Sequence, residues 1–390
     1  MKKIKVLHLT STRYGIGGVE RLLLDMSDKY DPERFEVSYC NLFCDADGAG
    51  AFPTDLRNRG LKVFAIRGKR WKDLPGILKD LVDLMRSERF DIVHLHMLQA
   101  TIIGAIAAKL TRRRTVVTKH YTPGPSHTGG TKSRHLLQGL DLYFTRSADH
   151  VVAVSEYVMN FLFQAGIPAS RASVIYNGID LSAFDRASQG GSPEIFPEGS
   201  FVIGTVGSLT QLKSHVTLVD AFSQVAADHS HVRLLIVGEG PELGNLQAQC
   251  ERLGIVDKVH FMGFSKDVPS LLKMLDVYVQ PSTFESFGIV LLEAAAARKP
   301  VIATAVGGMP EIVVLGETGF LVPVGDASEL ADAIRKLIDN CDQRLLMGEK
   351  GRSIVSERFL IEHTVDKYQK LYLQLSANRP LGEPALEVLS

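Results

Sequence analysis

One strand–turn–helix pattern, in residues 275–297, limits what this chain can fold into more than any other stretch. The run from Leu275 to Gln280 is apolar and rich in valine and tyrosine, which is typical of a buried strand, and Pro281 ends it. After Phe284 the sequence becomes rich in leucine and alanine, as in a helix, until Lys299-Pro300 stops it. A strand that feeds a helix through a short turn is the repeating unit of an α/β fold.

Two carboxylates belong to this pattern, Glu285 at the turn and Glu293 further along the helix. At 3.6 residues per turn their spacing returns to nearly the same helix face, so we expect both to look toward one ligand. Gly288 leaves room for a close approach, and the free amides of the first turn form an anion site. A ligand with hydroxyls at both ends and phosphates between them, such as a nucleotide sugar, suits this arrangement. Alternatively, Glu285 only offsets the helix dipole and Glu293 lies on a solvated face.

Length and composition restrict the class of protein. A chain of 390 residues is long enough for two domains, and its 45% hydrophobic and 23% charged residues are typical of a soluble globular protein. A formal net charge of zero gives no support for nucleic-acid binding. The four cysteines are too scattered for a disulfide framework, so we expect reduced thiols. Because neither a signal peptide nor an apolar run of membrane-spanning length is evident, we expect a cytoplasmic protein.

Strand and helix patterns alternate along the whole chain, which predicts an α/β fold with doubly wound, largely parallel sheets. A Gly/Ser-rich stretch over residues 186–193 has no periodicity and is the best candidate for a linker. We therefore predict a first Rossmann-like domain over residues 1–185 and a second over 196–359, facing each other across a cleft. A terminal helix at about 360–376 is expected to pack back on the first domain.

Two loops of the first domain stand out, because ligands of such sheets bind at the carboxyl ends of strands. Gly17 and Gly18 follow a strand and begin a helix, where their amides could bind a phosphate. A plain tight turn is the alternative, since the spacing differs from the dinucleotide fingerprint. His120 also follows a strand, so it is a candidate site residue. We interpret His94 as a core residue and His96 as a candidate lining residue.

The second domain repeats the pattern of strand, glycine loop and helix. Lys213 lies in the loop after the strand Phe201 to Val206, where its cation could reach a diphosphate. An ordinary exposed loop lysine is the alternative. The strand from Val259 ends at Phe264, where backbone groups could meet the edge of a base.

A basic segment precedes one amphipathic helix of the first domain. It holds Arg67, Lys69, Arg70 and Lys72 around Trp71, the single tryptophan of the chain. Solvated surface is the plainer interpretation of these charges. The functional alternative is peripheral docking on an anionic membrane or a lipid-linked acceptor.

Five motifs, spread over nearly the whole chain, together resemble the retaining glycosyltransferases of the GT-B fold, family four. Each motif alone is weak, but the set is specific. The motifs are Gly17-Gly-Val-Glu-Arg21, Asn177-Gly-Ile-Asp180, Val237-Gly-Glu-Gly-Pro241, Glu285-Ser-Phe-Gly288 with Glu293, and Val306-Gly-Gly-Met-Pro-Glu311.

The resemblance implies a role for each candidate residue. Glu285 is implied to bind the hydroxyls of the donor sugar, Glu293 the ribose of the nucleotide, and His120 the donor sugar near its anomeric carbon. Backbone amides are implied to bind phosphate or sugar at Phe287, Gly288 and Ile289, and the diphosphate at Gly17 and Gly18.

The sequence departs from the family pattern at one of two cations. Lys213 matches the lysine that the family places at the diphosphate, but Ser208 stands where an arginine is usual. Gly307, a helix N-terminus or Arg13 is expected to compensate.

The implied reaction moves a sugar, as in a hexosyltransferase, from a nucleoside-diphosphate sugar to an acceptor hydroxyl with its anomeric configuration retained. The resemblance implies no metal and no cofactor, since amides and cations stabilise the leaving diphosphate. The acceptor is expected to be a glycan or a lipid-linked intermediate of polysaccharide biosynthesis, which places the enzyme at the inner face of a membrane.

Three other classes of protein are weighed against this interpretation. An isomerase or epimerase acting on a nucleotide sugar could share the fold, but it would need no acceptor. A nicotinamide or flavin oxidoreductase is disfavoured because neither glycine loop has the dinucleotide spacing. A non-catalytic sugar-nucleotide binder is disfavoured because His120, Lys213, Glu285 and Glu293 are all present.

Overall fold

The computed structural model describes residues 2–12, 17–44, 50–68, 73–122, 132–187, 189 and 195–377. The chain divides into two compact units. The first comprises Met1–Gly178 with the segment from Ile361 onward, and the second comprises Ile179–Leu360.

The first unit is built on a parallel sheet whose strands follow the order β3-β2-β1-β4-β5-β6-β7. The strands are β1 Ile4–Thr10, β2 Phe35–Cys44, β3 Lys62–Arg67, β4 Ile92–His96, β5 Arg114–Lys119, β6 His150–Ala153 and β7 Ala172–Val174. The helices are α1 Gly18–Ser27, α2 Ala51–Asn58, α3 Leu74–Glu88, α4 Leu98–Thr111, α5 Lys132–Ser147, α6 Glu156–Gln164 and, from the end of the chain, α14 Ile361–Ser376.

The second unit has the same construction, with the strand order β10-β9-β8-β11-β12-β13 and all pairs parallel. Its strands are β8 Phe201–Val206, β9 Val232–Val237, β10 Val259–Gly263, β11 Val277–Gln280, β12 Val301–Thr304 and β13 Gly319–Val322. Its helices are α7 Leu181–Ala187, α8 His215–Asp228, α9 Leu243–Leu253, α10 Val268–Lys273, α11 Ile289–Ala296, α12 Ala327–Asp339 and α13 Cys341–Arg358.

Central strands of both sheets are apolar because helices cover both faces of a parallel sheet. In the first unit Val6, Ile92 and Val116 contribute to one buried core with side chains of α1 and α14. In the second unit Ile203 and Val279 do the same with side chains of α8 and α12. The predicted fold class, two Rossmann-like α/β domains, is confirmed.

The strand orders fix where a ligand can bind. In each sheet the order reverses once, between β1 and β4 in the first unit and between β8 and β11 in the second. Loops that leave two such neighbouring strands run in opposite directions, which opens a crevice at the carboxyl ends of the strands.

The terminal helix α14 belongs to the first unit, where it packs against α1 and β1. Tyr368 and Tyr372 point into the core and are buried. Polar contacts at its start fix its position: Lys29 Nζ lies 2.8 Å from Glu362 Oε1, and Thr364 Oγ1 donates to the carbonyl of Tyr176 at 2.9 Å.

The division between the units falls earlier than the boundary at residue 185 drawn from the sequence. Helix α7 packs against α10 and α11, and Arg352 Nη2 pairs with Asp185 Oδ2 at 2.7 Å, so this helix belongs to the second unit. Most of the Gly/Ser-rich stretch at 186–193 lies outside the described residues. Among the described residues, no helix has the length and apolarity needed to cross a membrane.

Candidate functional site

A charged cluster lies at the switch point of the second unit. Lys213 Nζ, which follows β8, is 2.5 Å from Glu285 Oε2, which follows β11. Gln280, at the end of β11, donates from Nε2 to the same carboxylate oxygen at 3.1 Å. The side chains of Lys213 and Glu285 are 25% and 17% exposed, so the pair is open to a ligand while mostly shielded from water.

Backbone contacts hold the loops of this cluster together. A turn of 3₁₀ helix, Gln211–Lys213, carries the lysine, and the amide of Thr283 donates to the carbonyl of Leu212 at 2.9 Å. This bond joins the loop after β8 to the loop after β11. The position of Lys213 relative to Glu285 therefore depends on the main chain and not on two flexible side chains alone.

Glycines permit these loops to approach each other closely. Gly307 has φ +58°, and a Cβ there would lie 1.5 Å from the carbonyl oxygen of Glu285. Gly238, with φ +140°, packs similarly closely, since a Cβ would lie 1.9 Å from the carbonyl oxygen of Gly207. Because both contacts are with backbone, any side chain would have to displace a loop of the site.

Helix α11 begins after the cluster, and its first turn can bind an anion. Gly288 is its N-cap residue, with φ +103°, a backbone conformation that glycine adopts without strain. The amides of Gly288, Ile289 and Val290 have no acceptor within the helix itself. Phe287 is buried and lies edge-on to Phe359 with ring centroids 6.0 Å apart, which fixes the turn.

The helical-face argument that paired Glu285 with Glu293 in the sequence is wrong. Helix α11 begins only at Ile289, so Glu285 lies in the preceding loop and the 3.6-residue period does not apply to it. Both carboxylates nevertheless act on one buried hydroxyl. Burial of Tyr278, and next to it the negative charges of Glu293 and Glu285, raise the pKa of the tyrosine hydroxyl.

Sequence reasoning missed Gln280 and Tyr278. Both are buried on β11, and the Tyr278 hydroxyl donates to Gln280 Oε1 at 2.5 Å, which orients the amide toward Glu285. A signal for Gln280 was present, since a polar residue that ends an apolar strand lies where ligands of parallel sheets bind.

Ser208 and Phe264 lie at the same edge of the second sheet. Ser208 is exposed in the loop after β8. Phe264 follows β10, and its ring is 58% exposed, which leaves an apolar surface beside the strand ends. Within the described ranges, neither side chain is hydrogen-bonded to the Lys213–Glu285 pair.

The glycine loop of the first unit differs from the prediction in one respect. Gly17 caps α1, but its amide donates to Glu20 Oε2 at 2.9 Å, in a capping box. That amide is therefore engaged within the chain. Gly18, the first residue of α1, is exposed, so its amide is the better placed of the two for a phosphate.

His120 lies directly after β5 and is partly exposed. Its Nε2 is 3.0 Å from His96 Nδ1, and His96 Nε2 is 2.9 Å from His8 Nδ1. The interpretation of His94 as a core residue agrees with its complete burial, and His96 is nearly as buried. Burial lowers the pKa of His120 to about 3, with a contribution from the charge of Lys119, so its ring is neutral at physiological pH.

Part of the predicted basic surface falls outside the structural description. Arg67 ends β3 and is exposed. Lys69, Arg70, Trp71 and Lys72, like Arg13 of the glycine loop, lie outside the described residues.

Two α/β units, each with polar groups at the reversal of its strand order, are the architecture of the GT-B fold. Residues 16–183 match the family model Glycosyltransferase Family 4, and residues 192–354 match the model Glycosyl transferases group 1. The chain belongs to this family, and it is a glycosyltransferase.

Relatives extend over most of the chain. N-acetyl-alpha-D-glucosaminyl L-malate synthase of Bacillus anthracis is 30% identical over 296 residues, which cover 75% of this chain and 77% of the relative. UDP-Gal:alpha-D-GlcNAc-diphosphoundecaprenol alpha-1,3-galactosyltransferase of Escherichia coli is 25% identical over a match that covers 97% of this chain and 98% of the relative. The crystal structure of Anabaena HepE in complex with UDP-glucose matches with 27% identity and a TM-score of 0.82, covering 95% of this chain and 100% of HepE.

We predict that Gly307→Ala disrupts the charged cluster. The new Cβ would push the backbone of Glu285 away from Lys213 and add strain from the left-handed conformation, which costs about 1–2 kcal/mol by itself. Gly316→Ala is the matched control, since Gly316 has φ +78° and its new Cβ would meet no atom of the described residues within 4 Å. Urea denaturation and transfer kinetics should show a larger loss for Gly307→Ala in both readouts. Equal losses for the two variants would contradict the predicted steric role.

Proposed function

We propose that this glycosyltransferase transfers a sugar from a nucleoside-diphosphate sugar, with uracil as the base, to an acceptor hydroxyl with retention of anomeric configuration. The observation that carries the proposal is the cluster of Lys213, Glu285 and Gln280 at the switch point of the second unit. It is supported by relatives whose names or structures contain UDP-galactose and UDP-glucose.

The cluster suits a donor that carries both hydroxyls and phosphates. Lys213 has three N–H donors, so it can keep its bond to Glu285 and still bind a diphosphate oxygen. Glu285 accepts hydrogen bonds from Lys213 and Gln280 on Oε2, which leaves Oε1 for the hydroxyls of a sugar.

Other parts of the nucleotide meet the neighbouring elements in this proposal. Glu293, on α11, binds the ribose hydroxyls, and the amides at Phe287, Gly288 and Ile289 bind phosphate oxygens. Phe264 offers an exposed apolar ring at the end of β10 for the base. Ser208 supplies a hydroxyl where the family has an arginine, so Lys213 carries more of the diphosphate charge here.

Transition-state stabilisation comes from the same groups. Charge builds on the diphosphate as the bond to the anomeric carbon breaks, and Lys213 together with the α11 amides is arranged to meet it. The sugar then carries oxocarbenium-like charge, and the acceptor hydroxyl attacks the face from which the diphosphate leaves. Its oxygen bonds to the anomeric carbon, and its proton passes to the departing diphosphate oxygen. We propose that neither a metal ion nor a cofactor takes part.

The acceptor is proposed to be a glycan or a lipid-linked intermediate. The Escherichia coli relative, which matches over nearly its whole length, is named for a diphosphoundecaprenol acceptor. Such an acceptor places the enzyme in the cytoplasm at the inner face of a membrane.

A panel of labelled UDP-sugars, incubated with and without a lipid extract and with excess chelator, tests the proposal. We expect acceptor-dependent transfer that survives chelation, and an anomeric proton coupling in the product that matches that of an α-linked donor. Conversion of the nucleotide sugar without any acceptor would instead indicate an isomerase. A β-linked product, or activity abolished by chelator and restored by manganese, would contradict the proposed mechanism.

We predict that Lys213→Ala lowers kcat/KM by about ten- to a hundredfold. A charge-assisted hydrogen bond contributes roughly 1.5–3 kcal/mol, and Ser208 offers no second cation to share the loss. Lys266→Ala removes an exposed lysine of the same unit and is the control, with kinetics expected to be unchanged. Near-normal kinetics for Lys213→Ala would refute the role assigned to this lysine.

We predict that substitutions of Glu285 and Glu293 affect the binding of different parts of the donor. Glu285→Gln keeps the shape but loses the charge that binds sugar hydroxyls, so transfer rate and discrimination between donor sugars should fall while UDP affinity is kept. Glu293→Gln should weaken the binding of bare UDP, which has a ribose but no sugar. Calorimetry with UDP measures both affinities. The opposite pattern would show that the two roles are reversed.

We also predict peripheral membrane contact through the basic segment. Replacement of Arg67, Lys69, Arg70 and Lys72 by serine should reduce flotation with anionic liposomes at low salt, because these charges are attracted to acidic lipid head groups. Serine at Lys3 and Arg34, two exposed cations elsewhere on the same unit, provides the control. Absence of wild-type flotation, or equal flotation of all variants, would remove this surface from the proposal.

A further inference from the structure

Three histidines of the first unit form a continuous row that the proposed chemistry does not yet use. His120 Nε2 lies 3.0 Å from His96 Nδ1, and His96 Nε2 lies 2.9 Å from His8 Nδ1. His8 Nε2 is 3.2 Å from the hydroxyl of Tyr30. One end of the row is the partly exposed ring of His120, and the other end is buried in the core.

The rings meet edge to edge along the line of their nitrogens. The planes of His8 and His96 differ by 14°, and their centroids are 5.2 Å apart. Between His96 and His120 the angle is 31° and the centroid distance is 5.3 Å. In both pairs the distance between the ring centroids exceeds the nitrogen–nitrogen distance by about twice the radius of an imidazole ring, as expected when the two nitrogens lie on the line between the centroids. The contacts are therefore in-line N–H···N hydrogen bonds and not face-to-face stacking.

An in-line row couples the tautomers of its members. A neutral imidazole has one N–H donor and one bare nitrogen that accepts. His8 and His96 use both nitrogens within the row, so every N–H must point in the same direction along it. Burial lowers the pKa of His8 to about 3 and places that of His96 well below its usual value, which keeps these rings neutral. The row consequently has two states, one for each direction.

The buried end of the row selects between the two states. Among the described residues, the Tyr30 hydroxyl is the last partner of the row, 3.2 Å from His8 Nε2. This length is typical of N–H···O donation, whereas donation by a hydroxyl is usually shorter, so His8 Nε2 carries the proton and the Tyr30 hydroxyl accepts. Followed along the row, this direction places the proton of His120 on Nε2.

We propose that His96, His8 and Tyr30 are positioning residues that hold His120 in the Nε2–H tautomer, so that its bare Nδ1 accepts a hydroxyl of the substrate. This rests on the proposed function and adds to it the role that the family resemblance implies for His120, contact with the donor sugar. Among the described residues, His120 Nδ1 makes no hydrogen bond.

Two other ways of fixing the tautomer of His120, a neighbouring charge and a bound metal ion, are less favoured. Lys119, the neighbouring cation, is paired with Asp141 at 2.5 Å in a buried ion pair. The three inner histidines, His8, His94 and His96, have nitrogens close enough to hold a metal ion. Both nitrogens of His94 are instead hydrogen-bonded to hydroxyls, Nδ1 to that of Tyr372 at 2.6 Å and Nε2 to that of Thr118 at 2.7 Å. This favours the hydrogen-bonded row over a metal site.

Long-range ¹H–¹⁵N NMR of the full-length protein, labelled with ¹⁵N-histidine, tests the proposal directly. The His120 signals, assigned by their loss in His120→Gln, should show a protonated Nε2 and a bare Nδ1. Tyr30→Phe removes the hydroxyl that ends the row, and it should give His120 a mixture of tautomers. Tyr39→Phe is the matched control, since Tyr39 stacks on His8 at 5.3 Å but its buried hydroxyl has no hydrogen-bond partner in the described structure.

Kinetics give a second readout. Tyr30→Phe should lower kcat/KM about two- to tenfold, the loss of one neutral hydrogen bond, while bare UDP binds as tightly as before. Tyr39→Phe should leave both values unchanged. A wild-type His120 with its proton on Nδ1, or identical His120 spectra for the two tyrosine variants, would overturn the proposal. So would uptake of one zinc ion per chain with shifts of the His8 and His96 signals. The NMR result holds even if the enzyme shows no transfer activity, so failure of the proposed function is distinguishable.

Discussion

The ion pair between Lys213 and Glu285 is the interaction on which the charged edge of the second unit depends. Two opposite charges in a mostly shielded site stabilise each other, but only if the main chain brings them together. Here a backbone hydrogen bond from Thr283 to Leu212 and the close packing of Gly307 on Glu285 do so. The main chain therefore holds the pair in place, as the proposed binding of an anion by the lysine and of hydroxyls by the carboxylate requires.

The two units solve the same positioning problem with different chemistry. Each has its polar groups where the order of its strands reverses, as the doubly wound topology requires. The second unit uses charges, a buried amide and helix amides, which suit phosphates and ribose. The first unit uses neutral imidazoles in a hydrogen-bonded row whose far end is the hydroxyl of Tyr30. If His120 meets the sugar as proposed, its neutral ring adds a hydrogen bond without adding charge that would oppose an oxocarbenium-like state.

Local sequence patterns were sufficient for the elements with strong periodicity. Strand β8 has the bounds that the sequence predicts, from Phe201 to Val206. Helix α13 shows why other elements escape such patterns. Its buried positions include Gly348, where a Cβ would lie 2.1 Å from the carbonyl oxygen of Arg298. Glycine weakens a helix pattern in sequence, yet here it is what allows α13 to pack closely on its neighbour.

Candidate site residues divide in the same way. Strand-end positions and motifs were enough to select Lys213, Glu285 and His120 from the sequence. The bonds that Gln280 donates to Glu285 and that Tyr372 makes with His94 depend on tertiary packing. Tyr372 and His94 are separated by 278 positions in the chain, so no local pattern could join them.

Hydrogen–deuterium exchange with and without saturating UDP tests the location of the donor site most directly. We predict slower exchange of amides in two segments, residues 207–214 and 283–293, because these loops carry Lys213, Glu285 and the first turn of α11. Helix α12, a core element of the same unit, should exchange at the same rate in both samples. Binding of UDP that leaves both segments unchanged and protects another region would contradict the account.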